Sequence, residues 1–270
     1  MNETDWKVLA EICKDNKNIA TAIKKSPKQV YRSIKILKEL NFIQDNAELS
    51  RNPFTNIIAR QLKANPHLPK ILADSGLKIL TALTTSKTIK ELPFKKSILY
   101  RKIKEAKTIS LITKKDKYYF IPDFWQELKD FLRIYQEYQT DLRIPPDAKI
   151  YYKENQIVLY STDKPQQSNK TAFSRYEEFG IKLLLPEDYY YLPKKYLSIK
   201  EIFFHSLQIA EKEQEPRLFL YLTLFYLKHK LHLHHPVLEN IKKLLQGEKI
   251  KNYPSLAEIK EKAKVYDIII

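Results

Sequence analysis

Several kinds of chemistry need residues that this chain hardly has. Its 270 residues include one cysteine, Cys13, so neither an intrachain disulfide nor a cysteine-built zinc site can form, as suits a reducing compartment. Glycine occurs three times, at Gly76, Gly180 and Gly247. Walker loops and dinucleotide fingerprints need glycine clusters where backbone approaches phosphate, which excludes nucleotide enzymes of those kinds. Long apolar runs are missing too: the longest, residues 218–227, is about half of the roughly 20 residues a spanning helix needs. Glu3, Asp5, Lys7, Glu11 and Lys14 break up any signal-peptide core at the start of the chain. A cytoplasmic protein with no membrane partner and no cofactor is expected.

What is present suffices for real cores. Hydrophobic residues make up 43% of the chain, and its length of 270 residues predicts two or three globular domains. Lysine and arginine number 48 against 32 aspartate and glutamate, a net of +16, and the excess is uneven. Through Thr140 the count is 27 against 15, a net of +12; beyond it 21 against 17, a net of +4. A local cationic excess suggests a polyanionic partner, because each Lys or Arg placed near phosphate releases condensed counterions.

The basic half contains a repeat. Val30-Tyr31-Arg32-Ser33-Ile34-Lys35 returns 69 residues later as Leu99-Tyr100-Arg101-Lys102-Ile103-Lys104, and the same offset pairs Ile23 with Leu92, Phe42 with Leu111 and Ile43 with Ile112. Each copy reads as a helix, a short helix, a longer helix and a hairpin. Ser26-Pro27 caps and starts the third helix of the first copy, and Thr88 with Glu91 has the spacing of a capping box in the second. Val30, Ile34 and Leu37 form an apolar stripe, as do Leu99, Ile103 and Ala106. Lys28, Gln29, Arg32, Ser33 and Lys35 are thereby expected on other faces, and so are Ser97, Arg101, Lys102 and Lys104. Residues 108–113 and 118–121 flank a charged turn holding Lys114, Lys115 and Lys117, which predicts a basic-tipped hairpin. The turn of the first copy is acidic, with Asp45 and Glu48 nearby.

This order of elements, with cations on the third helix, resembles the winged helix-turn-helix superfamily over residues 2–51 and 75–122. The resemblance implies third helices lying in the major groove of double-stranded DNA and a hairpin wing reaching backbone or minor groove. Carried over, Lys28, Gln29, Arg32, Ser33 and Lys35 would face DNA in the first copy. Ser97, Arg101, Lys102 and Lys104 would do so in the second, together with wing residues Lys114, Lys115 and Lys117. The acidic first wing departs from the pattern, since phosphate would repel it. Tyr31 and Tyr100 share one place in both copies, where core packing and base stacking are both open. The alternative for either copy is a protein-interaction module with a solvated basic face.

The remaining segments complete an expected division into a first winged helix (1–52), a helical connector (53–74), a second winged helix (75–122), a linking helix (123–146) and a C-terminal domain (147–270). The linking helix could pair with its copy in a homodimer or lean on its own core. Overall this is a mainly α chain with small β hairpins, whose C-terminal domain is α+β with a helical bundle. There, residues 149–153 and 156–161 read as a hairpin around Glu154-Asn155, residues 171–179 as a helix stopped by Gly180, and 181–185 and 189–192 as strands. Ser198 with Glu201 and Ser255 with Glu258 read as capping boxes.

Candidate chemistry in this half is sparse. His229 and His232 stand three apart on a helix and form, with His234 and His235, a cluster of metal-ligand type. No carboxylate lies within it, and histidines before Pro236 suit a helix end, so no metal is expected. The adjacent pairs Glu177-Glu178 and Glu187-Asp188 diverge as sequence neighbours, and no nucleophile motif is present, so no catalytic residues are expected. Residues 171–180, 189–193 and 198–207 resemble the C-terminal part of abortive-infection antitoxin proteins. That resemblance implies a chain that represses its own operon and grips a partner toxin through the C-terminal domain. Transcriptional regulation by sequence-specific duplex binding is the first expectation, an antitoxin-like interaction module the second.

Overall fold

The computed structural model describes residues 1–154, 156–231 and 233–270. Asn155, in the expected hairpin turn, and His232, of the histidine cluster, lie outside them. The chain forms two compact units, Met1–Gln139 and Thr140–Ile270. Among the described residues no helix is long and apolar enough to cross a membrane.

The first unit is helical with one small sheet. Its elements are α1 (Glu3–Cys13), α2 (Ile19–Ala22), α3 (Pro27–Glu39), α4 (Pro53–Ala64), α5 (Leu68–Leu72), α6 (Gly76–Ala82) and α7 (Lys96–Lys107), with strands β1 (Lys87–Thr88), β2 (Thr113–Lys115) and β3 (Tyr118–Phe120). Helix α8 (Gln126–Asp141) follows a 3-10 turn at Asp123–Trp125, so it starts later and ends earlier than the expected linking segment 123–146. Local chemistry sets these boundaries. Asn2 and Asp5 close a reciprocal capping box on α1, and Ser26 and Gln29 close one on α3 beside a proline at its first turn. Asn52 accepts from Thr55 N at 2.8 Å to start α4.

Both repeat copies, α4, α5 and α8 share one core. Trp6, Phe42, Phe54, Phe131 and Tyr135 form its aromatic centre, with Trp6 and Phe42 edge-on at 5.7 Å and Phe131 stacked on Tyr135 at 5.6 Å. Helix α8 leans on this core through Leu128, Phe131, Leu132 and Tyr135. The first hairpin is reduced to a single bridge between Ile43 and Leu49. In the second copy, β1 joins the hairpin to give an antiparallel sheet of order β1-β3-β2. Gly76 lies where the chain returns from α5, and a Cβ there would sit 1.7 Å from the Ile71 carbonyl oxygen.

The second unit sets an antiparallel sheet beside helices. Strands β4 (Lys149–Glu154), β5 (Ile157–Thr162), β6 (Asn169–Lys170) and β7 (Asp188–Leu192) pair in the order β4-β5-β7-β6. Alternation along the strands separates two apolar faces. Val158, Tyr160, Tyr190 and Leu192 pack together on one, while Leu159, Tyr189 and Tyr191 face α9 (Ile199–Glu213) and α10 (Pro216–His229). Helices α11 (Pro236–Leu245) and α12 (Leu256–Val265) complete that core. Two expectations change. Residues 181–185 pair with no strand, and the segment Ala172–Phe179 is a 3-10 helix, ended by Gly180 at φ 72°.

Among the described residues, His205 is the most strongly shifted histidine of this core. His205 on α9 stacks on Tyr191 at 4.6 Å, and its Nδ1 lies 2.7 Å from the fully buried Thr171 Oγ1. Burial pushes the imidazole down to about 4, with Lys195 acting the same way and Glu201 opposing. The folded state therefore binds fewer protons than the unfolded one below pH 6.5, so stability is present above that value and is lost as pH falls towards about 4. Lys195 and the Ser198 cap hold Glu201 down at about 2, so its loss comes lower, as pH falls from about 4.5 to about 2. Denaturant titrations across pH should show His205→Asn reducing the slope between pH 6.5 and 4, leaving the share of His229, which burial also holds down, and the lower window in place.

Candidate nucleic-acid interface

Helices α3 and α7 present matching faces. At 3.6 residues per turn, Lys28, Tyr31, Arg32 and Lys35 fall within an arc of about 100° on α3, and Ser97, Tyr100, Arg101 and Lys104 fall within the same arc on α7. All eight are exposed. The opposite sides, Val30 with Leu37 and Leu99 with Ile103 and Ala106, are buried. Among the described residues, none of the cations Lys28, Arg32, Lys35, Arg101 and Lys104 forms an ion pair, so their charge is free for an external anion.

Two residues expected on these faces are inside. Ser33 is 3% exposed and donates to Asp5 Oδ1 at 2.7 Å; Lys102 is 5% exposed, donates to the Lys70 carbonyl at 2.8 Å and lies 3.2 Å from Glu105 Oε2. The reason is geometric. Ser33 stands three residues after Val30 and four before Leu37, and Lys102 three after Leu99 and four before Ala106, so each lies in the middle of the buried stripe rather than beside it. They occupy the same repeat position, and each joins its third helix to an earlier segment: Ser33 to α1, Lys102 to α5.

Gln29 is exposed but partly committed. Its Oε1 accepts from Ser26 N at 3.2 Å, which leaves the amide hydrogens of Nε2 as its free donors. In the first hairpin, Lys38 bonds the Asp45 carbonyl at 2.8 Å and pairs with its carboxylate at 3.5 Å, so the acidic turn is tied to α3. The second hairpin carries Lys114, Lys115 and Lys117 in the open, but Lys114 and Lys115 lie in β2 rather than in the turn, and residues 108–112, expected in the strand, pair with no strand. Strand β2 is an edge strand, and lysines there also deter pairing with another chain. Lys114 and Lys107 each stand 5.9 Å from the Tyr119 ring centre and Lys117 5.5 Å from that of Tyr118, which aligns these cations along the wing surface. Residues 87–117 contain eleven Lys and Arg against three acids, so most of the excess of the first unit is concentrated around α7 and its hairpin.

Sequence reasoning left Tyr31 and Tyr100 open, and the structure puts both in solvent, 71% and 54% exposed. The available signal was their angular place: each lies four residues before a cation of the outward arc, Lys35 and Lys104.

The second unit gathers less. His229 stands against Phe225 at 4.4 Å and Phe179 at 5.3 Å, and His235 Nδ1 accepts from Val237 N at 3.3 Å to cap α11. Burial lowers the His229 pKa. The adjacent carboxylates go to separate partners: Glu178 to Arg175, Glu177 to Lys182, Glu187 to Ser161 and Asp188 to Lys170. A 260 Å³ cleft lined by Asp163, Lys170, Phe173, Glu177, Glu187 and Asp188 is strongly polar.

No protein-family model matches the chain, and comparison with curated proteins and with solved structures found no match.

The two classes of polar residue on the third helices should separate in stability measurements. Ser33→Ala strands a buried carboxylate oxygen, and Lys102→Ala empties a buried site and removes its bond to the Lys70 carbonyl, and each should lower the unfolding free energy by about 1–3 kcal/mol in denaturant titrations. Arg32→Ala and Arg101→Ala should stay within about 0.5 kcal/mol of the parent.

Proposed function

We propose that the first unit binds double-stranded DNA through two tandem winged helices and that the chain is a transcriptional regulator. The observation that carries this reading is the repeated outward face: Tyr31, Arg32 and Lys35 on α3 and Tyr100, Arg101 and Lys104 on α7, at one offset in a unit whose net charge is +12. The order of helix, short helix, third helix and hairpin supports it, with a 3-10 turn at Ile89–Glu91 as the short helix of the second copy and a single bridge as the hairpin of the first, as does the β1 strand beside the second hairpin. A helix fits the wide major groove of B-form DNA and not the deep, narrow one of A-form RNA, which favours a duplex DNA partner.

The mechanism has two parts. Lys28, Lys35, Lys104 and the wing residues Lys114, Lys115 and Lys117 neutralise phosphates and set position, while Arg32 and Arg101, able to fork onto guanine, contact base edges together with the free amide of Gln29. Ser33 and Lys102 hold the third helices from inside and take no part in the contact. The C-terminal unit, with its net of +4, is assigned a regulatory or partner-binding role.

Fluorescence anisotropy on pooled genomic duplex fragments tests this reading. With six or more phosphates contacted, affinity should fall about a thousandfold or more between 50 and 200 mM salt. Arg101→Ala with Lys104→Ala should weaken binding and reduce the salt slope by roughly one, for the Lys104 phosphate contact, whereas Lys249→Ala with Lys251→Ala in the second unit should do neither. Absent or salt-independent duplex binding contradicts the proposal.

A further inference from the structure

Tyr31 and Tyr100 are large, partly apolar side chains held in water at equivalent places of two helices, 71% and 54% exposed. Among the described residues neither ring packs on another ring or lies under a cation, unlike Tyr118 and Tyr119 of the hairpin. Solvent exposure of an aromatic ring forgoes the burial that would stabilise the fold, so the repetition asks for an external surface. Each ring sits among the free cations of its arc, Lys28, Arg32 and Lys35 around Tyr31 and Arg101 and Lys104 around Tyr100.

The lysines of each arc act on phosphate and report nothing about sequence, and the arginines are matched to guanine, whereas the phenol brings no charge and adds nothing to counterion release. A helix laid in the major groove meets one apolar group that distinguishes base pairs, the thymine 5-methyl. Resting on the duplex-binding reading above, we propose that Tyr31 and Tyr100 are specificity-determining residues, each packing its ring on thymine methyl groups so that one chain reads a site with two thymine-bearing halves.

The test starts from duplexes selected by the full-length protein from a random library. Each selected site is remade with uracil in place of thymine, which removes the methyl and keeps the pairing edge. Tyr31→Ala, Tyr100→Ala and the uracil duplexes should each lose about tenfold in affinity for the selected site. The losses should fail to add when a variant meets the uracil half-site that it reads. Salt slopes should stay unchanged, and Tyr31→Phe and Tyr100→Phe should bind as the parent does, because the ring and not the hydroxyl makes the contact. Thermal melts identical to the parent show that the variants fold. Parent-like binding by the alanine variants, indifference to uracil, loss of affinity in the phenylalanine variants, or preference for single-stranded over duplex DNA each overturns the inference while leaving DNA binding in place. A parent protein that binds no duplex overturns the DNA reading itself.

Discussion

The rotational setting of two helices governs what the first unit can offer to a partner. Helix α3 buries Val30, Ser33 and Leu37, and α7 buries Leu99, Lys102, Ile103 and Ala106. Each stripe carries one polar member at the same repeat position. Ser33 bonds the buried Asp5 carboxylate, and Lys102 bonds the Lys70 carbonyl and pairs with Glu105. Buried polar groups tolerate little rotation, because turning the helix strands them without partners at a cost of about 1–3 kcal/mol each. The tyrosine, arginine and lysine of each copy are left outward as a consequence of what the inner side must satisfy.

That same feature marks where sequence reasoning stopped. Apolar spacing located α3 and α7, and the caps at Ser26, Ser198 and Ser255 follow from local chemistry that a sequence displays openly. A stripe defined by apolar residues alone misses its polar members, and so Ser33 and Lys102 were expected outside. Angular position, three and four residues from the stripe's own members, contained the answer; residue type concealed it. The tyrosines illustrate the converse, since an aromatic residue is as much at home in a core as on a binding face. Pairing geometry decided the remaining differences. Residues 181–185 have strand-like composition but find no neighbour to pair with, and the first hairpin shrinks to one bridge while the second gains β1 as a third strand.

Charge divides the chain as the two compact units do: +12 belongs to the residues of the first and +4 to those of the second. In the second unit many carboxylates have cationic partners within the same unit, including Glu178 with Arg175, Asp188 with Lys170 and Glu201 with Lys195. Its surface charge is spent locally, whereas the cations of α3, α7 and the second hairpin are left for another molecule. The His205 imidazole, neutral and packed on Tyr191, gives that unit an acid sensitivity that belongs to its core.

Lysine acetylation footprinting, read by mass spectrometry with and without duplex DNA, addresses the central claim most directly, because it reports each cation separately. The account predicts that duplex protects Lys28, Lys35, Lys104, Lys114, Lys115 and Lys117, that Lys102 resists acetylation in both conditions, and that Lys249 and Lys251 react equally in both. Protection confined to lysines of residues 140–270, or spread evenly over the chain, would contradict it.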